Sequence, residues 1–507
     1  MRFEILGNPC ISVALIAWVA VFGFTGDFVS ASAASQVPAV QPAVPVEERI
    51  RRVEVALLPA IVIKGAASPT LPLAERMRFY RVPGVSVAVV SGGKIDWARG
   101  FGVKDVSTNE PITTETLFQA GSISKPVAAL AALRLVQDGR LSLDEDVNAR
   151  LASWKLPENK FTKEKKVTLR RLLTHSAGLT VHGFPGYADG AQVPTFLQVL
   201  NGEKPANTAA IRVDTVPGTV WRYSGGGYTI MQQMLIDVAN KPFPDILNEL
   251  VLEPAGMKQS TYEQPLPPAR AKDAATAHKG GQPVKGRFHT YPEMAAAGLW
   301  TTPTDLALLT VELQNSLAGK SNRIISKEMA AQMMSRQFGE WGLGPSVEVR
   351  GEAIEFSHGG VDEGFEAFWA GLSDGRGVVV MTNGEGGTAL AMEIIRSVAR
   401  EYGWTEHAPL ERELAQVDPQ IYDFYVGDFK FKISPQLTVV LGVSTEGGKL
   451  LVQQNGGAKR EWLPASETEF FSVASGNTLV FARDAHGAVG ELTLKQGGER
   501  YTGNRIK

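Results

Sequence analysis

The stretch FQAGSISKPVAALAALRLVQDG, residues 118–139, decides how the rest of this chain is read. Its apolar second half is closed by Gly139, which predicts a helix over residues 121–138, sunk deep in a core. Ser122 and Lys125 stand at the helix start, three positions apart and therefore on one face. A serine hydroxyl is a poor nucleophile until a base removes its proton. A lysine held in a desolvated pocket can lose its charge and become that base. The positive end of the helix adds favourable potential beside an attacked carbonyl. An S-x-x-K pair alone is common by chance in a chain of this length, and taken alone it is more often a solvated helix start. Two details raise it: the apolar, glycine-terminated lead-in FQAG, and the buried helix behind, which gives the serine a rigid base.

Outward from that helix, the chain mixes sheet and helix. Residues 47–58 carry Ile50, Val53 and Leu57 at helical spacing. Residues 85–90 (VSVAVV) read as a strand, Gly92-Gly93 as a turn and residues 94–100 (KIDWARG) as a returning strand. Strand patterns come back at 353–358, 365–372 and 378–383, and residues 389–402 close with a helix. Two early and three late strands thus flank a largely helical insertion, an α+β arrangement. After about residue 405 the character changes. Short β-like pieces (FKF, LTVVLGV, KLLVQQ, EFFSV, TLVFAR, ELTLK) alternate with Gly, Asn and Ser turns, which predicts a small all-β domain, barrel or sandwich, over 406–507.

Composition sets the outer bounds. The 507 residues are 44% hydrophobic and 21% charged, enough apolar material for a large core and too much for a disordered chain. With 51 Lys+Arg against 53 Asp+Glu the net charge is −2, and no basic block is present, which argues against nucleic acid as the main partner. Cys10 is the single cysteine, so a disulfide, a Cys-based zinc site and a CxxC pair are all excluded. The seven histidines show no HExxH spacing, and the expectation is a metal-free mechanism without organic cofactor. Residues 1–33 read as an export signal: Met1-Arg2, a 14-residue apolar run over 11–24 and an A-x-A site at Ala31-Ser32-Ala33. An uncleaved anchor is the alternative. A Pro/Ala spacer over 34–46 (QVPAVQPAVP at 36–45) follows, and a body over 47–405. The expected location is periplasmic or secreted, in a bacterium.

Two more motifs bear on chemistry. Tyr223-Ser224-Gly225 lies in PGTVWRYSGGGYTI, where tight packing can fix a phenol near Lys125 to share or relay the proton. Taken alone it reads more readily as a core aromatic. His358-Gly359-Gly360 ends a predicted strand. The two glycines let a substrate backbone lie along the strand edge. The next amide, on Val361, can join the Ser122 amide in an oxyanion site. His358 is placed to bind a carboxylate or shuttle a proton.

Taken together, S-x-x-K, Y-S-G and H-G-G, in that order, on a helix start, a loop and a strand end, resemble the penicillin-binding and serine β-lactamase superfamily. LRRLLTHSAGL (169–179), PGTVWRYSGGGY (217–228), LEPAGM (252–257) and AAAGLWTTPTDLA (295–307) look like its class C branch, and the resemblance spans about 45–405. It implies a five-stranded antiparallel sheet with flanking helices and a helical subdomain, the site lying in the cleft between them. It implies Ser122 as acylated nucleophile, Lys125 as its proton partner, Tyr223 as second acid/base group, and the Ser122 and Val361 amides as oxyanion donors. Two departures matter: Gly225 stands where the family has Asn, and His358 where it has Lys. A neutral imidazole holds a substrate carboxylate more weakly than an ammonium, which weakens the case for an efficient β-lactamase. The H-x-G variant is similar to family VIII esterases and D-stereospecific peptidases. The expected activity is an exported serine hydrolase forming an acyl-enzyme on ester, amide or β-lactam carbonyls of a small-molecule or peptide substrate. The alternative is a penicillin- or peptidoglycan-binding module with little turnover.

Competing features are weighed against these. Gly371-Leu372-Ser373-Asp374-Gly375 matches the G-x-S-x-G elbow, but a strand follows where that elbow needs a helix, so it reads as a hairpin turn. His175 reads as a loop-fixing residue rather than a base. Trp221, Trp300 and Trp369 are core or cleft wall, and the sequence does not separate these.

Overall fold

A computed structural model describes residues 44–67, 71–432, 438–483, 488–496 and 499–506. The expected signal and the spacer as far as residue 43 lie outside them. Gly84–Ser91 (β1) is a strand with both faces covered. Val85, Val87 and Val89 enter one apolar cluster, Ala88 and Val90 the other. Gly92 and Gly93, both at positive φ, turn it into Lys94–Gly102 (β2). Ser346–Arg350 (β3), Ala353–Asp362 (β4), Phe365–Leu372 (β5) and Gly377–Thr382 (β6) complete an antiparallel sheet of order β2-β1-β6-β5-β4-β3.

The sheet therefore has six strands where five were expected. The extra one, β3 (SVEVR), is an edge strand with Val349 facing solvent, so it lacks the apolar face by which the others were read. A second correction concerns the H-G-G motif. It does not end its strand: β4 runs on to Asp362. Strand β3 covers one edge of β4 only as far as Ser357, so from His358 onward that edge is free of strand partners.

Helices cover both faces. Val46–Val55 (α1), Leu73–Tyr80 (α2) and the closing helix Gly387–Tyr402 pack on one side, the last through Leu390, Ile394 and Val398 at helical spacing. On the other side lie Ser124–Gln137 (α3), Gly225–Ala239 (α4) and Pro303–Leu317 (α5), with the helical region inserted between β2 and β3. The closing helix is α6. Trp369 of β5 donates its indole N–H to Thr310 Oγ1 of α5 (2.8 Å), and Trp300 and Trp369 are both fully buried, as core. The segment 371–375 is the β5–β6 hairpin turn, with Ser373 Oγ accepting from the Ile354 amide.

Beyond α6, Leu410–Arg412 pairs in parallel with Ile61–Ile63, tying the following segment to the edge of the body. Eight antiparallel strands from Gly427–Lys432 to Glu499–Arg505 then close into a barrel. Closure is explicit: the first strand pairs with both the second and the last. The barrel starts at Gly427, after a linking stretch, rather than directly at 406. No helix among the described residues is long and apolar enough to cross a membrane.

Candidate active site

The S-x-x-K turn is wedged against β4. Gly121 sits at φ +50, and a Cβ there would lie 2.4 Å from the Val361 amide nitrogen. A Cβ on Gly360 would lie 2.0 Å from the Ala120 carbonyl oxygen. Only glycine permits this approach from either side. It brings the Val361 backbone beside the serine. Ser122 occupies a 3-10 turn, Gly121–Ile123, and α3 proper begins at Ser124. The i, i+3 relation holds across that junction: Lys125 Nζ donates to Ser122 Oγ at 2.8 Å and to the Ala296 carbonyl at 2.8 Å. Lys125 is 2% exposed, so its side-chain nitrogen is fixed by two acceptors away from water.

Tyr223 approaches from the other wall, its ring centroid 5.1 Å from Lys125 Nζ. The loop holding it is set by the helix behind. Ser224 caps α4, its Oγ accepting from the Gly227 amide (3.2 Å) and donating to the Thr180 carbonyl (2.9 Å). Gly225 and Gly226 pack that helix start against the loop 180–184. A Cβ on Gly225 would lie 2.9 Å from Phe184 Cε2, so the ring fills the space an asparagine side chain would need. Gly225, expected at the substrate, is thus under Phe184 and not on the cleft wall. His175, at φ 57, lies under Tyr223 with ring centroids 4.2 Å apart, and its Nδ1 accepts from the Ser224 amide. It fixes the tyrosine loop, as its surroundings in the sequence suggested. Burial, then the charge of Lys125, hold its imidazole well below the usual histidine range, so it is neutral.

A cleft of about 470 Å³ opens over the serine, walled by Ser122, Tyr223, Trp341, His358, Gly359 and Val361. Of the two motif glycines only Gly359 faces it, with nothing nearer than 3.9 Å to a Cβ; Gly360 faces inward. His358 is 6% exposed, and burial, with Lys125 second, holds its pKa at about 3. Its Nδ1 lies 2.6 Å from the Gly359 carbonyl oxygen, which can only accept, so Nδ1 carries the proton and Nε2 is left as an acceptor. None of the residues walling the cleft carries a charge at neutral pH.

Three features escaped the sequence reading. Trp341 stacks on Trp221 (5.8 Å, 23° between planes) and packs edge-on to His175, closing one end of the cleft. Asp362 follows His358 and Gly360 on the inward face of β4. Glu293 stands just before the short turn that carries Ala296, without a side-chain bond to it. Both acids are buried; the Glu293 carboxylate makes no well-formed hydrogen bond to another described residue, and Asp362 lies close to the Gly121 amide and the Tyr291 hydroxyl without a well-formed bond to either. Burial pushes Glu293 up to about 8 and Asp362 well above the usual carboxylate range, so both are protonated near neutrality. The only hint of this in the sequence was an acid set inside the apolar block PEMAAAGLW. No group of three or more His, Cys, Asp or Glu placed to hold a metal occurs among the described residues.

A family model described as Beta-lactamase matches residues 73–401. Penicillin-binding protein 4* of Bacillus subtilis is 22% identical over 450 residues, covering 82% of this chain and 93% of that protein. Esterase EstB of Burkholderia gladioli is 28% identical over 223 residues, 42% of this chain and 55% of the esterase. Among solved structures, the octameric penicillin-binding protein homologue from Pyrococcus abyssi superposes with a TM-score of 0.57 at 21% identity, covering 85% of this chain and 98% of the other. SurE superposes with a TM-score of 0.52 at 20% identity over 86% of this chain and 97% of its own. Both share the fold.

Proposed function

The chain belongs to the beta-lactamase family and is a serine hydrolase, and we propose that Ser122 is its nucleophile, acting on uncharged ester substrates outside the cytoplasm. In this reading Ser122 Oγ attacks the carbonyl carbon while its proton passes to Lys125 Nζ, 2.8 Å away. The carbonyl oxygen becomes an oxyanion beside the Ser122 and Val361 amides. Collapse expels the alcohol, which takes a proton relayed from Lys125 through Tyr223, and leaves Ser122 acylated. Water then attacks the acyl-enzyme and gives its proton to the same pair, which passes it to Ser122 Oγ as the acyl–oxygen bond breaks and the acid departs.

The preference for uncharged esters rests on one observation: a cleft wall without a cation. A penicillin or a D-Ala-D-Ala peptide brings a carboxylate, which needs a donor or a positive charge at its resting place. His358 offers neither, being neutral with Nε2 as acceptor, and the donors left on that wall, the hydroxyls of Ser346 and Ser357, are uncharged. The aromatic wall of Tyr223 and Trp341, the latter backed by Trp221, suits an apolar acyl group instead. The esterase among the relatives agrees with this choice. Export rests on the apolar run and A-x-A site of residues 1–33.

The test is kcat/KM for a p-nitrophenyl butyrate against benzylpenicillin and a D-Ala-D-Ala peptide. The expected ratio favours the ester by more than about tenfold, the equivalent of 1.4 kcal/mol in transition-state binding. A ratio at or below one contradicts the ester reading. A stable penicillin adduct without product release contradicts it in favour of the binding module.

A further inference from the structure

A second cavity of about 520 Å³ lies where α6 meets the barrel. Its walls bring together Arg396 of α6, Arg412 of the linking strand, and Lys495 and Arg500 of the last two barrel strands. Nearby acids answer only part of this charge. Glu469 is shared between Arg412 (3.7 Å) and Lys495 (3.3 Å). Glu393, next to Arg396 on α6, is taken by a two-pronged pair with Arg76. Glu355 faces His407 and Arg350. Among the described residues Glu499 is the one acid on the cavity wall itself. Arg396 and Arg500 have no hydrogen bond or ion pair among the described residues.

Two features make this arrangement costly in an empty pocket. Arg396 is half-buried with no hydrogen bond or ion pair among the described residues, and burial lowers its pKa from the ordinary value, only partly offset by the nearby charge of Glu393. Lys495 and Arg500 are direct cross-strand neighbours, a like-charge pair of the kind that destabilises a sheet. A chain that keeps such charges together in a concave site between two domains has built a counterpart for an anion. Guanidinium forks match oxyanions of phosphate type.

We infer that this cavity binds a phosphate group, held by Arg396, Lys495 and Arg500. A soluble phosphate ester and an anionic lipid headgroup present the same chemistry. The site shares no residue with the cleft, and the inference stands apart from the ester reading.

The experiment is thermal unfolding of the full chain with millimolar inorganic phosphate, against sodium chloride at equal ionic strength. Phosphate is expected to raise Tm by about 1–3 °C. Arg396→Gln and Arg500→Gln should each abolish that rise while leaving p-nitrophenyl ester hydrolysis unchanged. Arg500→Gln should also leave Tm without phosphate equal or higher, because it relieves the pair with Lys495; a purely structural arginine would lower it. Sedimentation with phosphatidylglycerol vesicles but not phosphatidylcholine vesicles, lost in both variants, identifies the lipid source. Absence of sedimentation, with the phosphate shift present, identifies the soluble ester. No shift and no vesicle binding in the wild type overturns the inference, and so does a shift that survives in both variants.

Discussion

The cleft and the barrel bury their interiors on opposite terms. The barrel core is aromatic: Phe429, Phe431, Phe470 and Phe481 are buried, Tyr425 stacks on Phe481 at 4.2 Å, and the Tyr425 hydroxyl donates to the Glu467 carbonyl. Around Ser122 the interior holds Lys125, His175, Glu293, His358 and Asp362, all nearly sealed from water. Several of their polar atoms lack a hydrogen-bond partner among the described residues. Unpaired buried polar groups cost stability, so a fold keeps them where they do something else. The barrel is held by packing; the cleft trades stability for placed protons and acceptors.

That contrast is open to attack at several points. Ser122→Ala should lower ester turnover most, on the order of 10⁶-fold if the residue behaves as nucleophiles of acyl-transfer enzymes do, with Tm unchanged. Activity within tenfold of wild type would remove the cleft from the account. Phe481→Ala should do the reverse. It should cost about 3–5 kcal/mol of stability in denaturant titrations. Labelling of Ser122 in the surviving folded protein should be unaffected. Tyr223→Phe should slow turnover by about 10²–10⁴-fold if its hydroxyl relays the proton. An unchanged rate would leave only its ring, which packs over His175 and Lys125.

Two smaller effects sharpen the comparison. Glu293 binds its proton up to about pH 8 when folded, against an ordinary value of 4.5, so the folded state holds the extra proton between those limits. The Glu293 contribution to stability should therefore fall as pH rises from 4.5 to 8. Glu293→Gln should flatten that part of a Tm-versus-pH curve, and an unaltered curve would show the acid to be solvated. His358 runs the other way. Its folded pKa of about 3 against 6.5 makes acidification from 6.5 to 3 destabilising. His358→Lys, which restores a cation, should lower KM for benzylpenicillin by about tenfold while leaving the ester KM nearly unchanged.

The parts of this molecule that could be read from sequence are those written in local patterns. The valine run of β1, the buried helix α3, the glycines of the turns and the three short motifs all carry their meaning within a few residues. The edge strand β3 does not, because an exposed edge needs no apolar face. Glu293 and Asp362 look like surface acids in the sequence. Their burial comes from β4, the 291–298 turn and the S-x-x-K turn meeting across some 240 residues of chain. Trp341 likewise reaches Tyr223 only through the fold. The Gly225 departure was visible, but its cause, the Phe184 ring in the vacated space, was not. The barrel was legible as short strands and turns, whereas its closure depends on pairing the first strand with the last.

The central claim is that Ser122 is the nucleophile, and brief incubation with a fluorophosphonate tests it most directly. Intact mass and peptide mapping would be compared for wild type and Ser122→Ala. One phosphonyl increment is expected in the wild type, on the peptide holding Ser122, and none in the variant. An increment in the variant, or one mapped to Ser373 or any other residue, would contradict it.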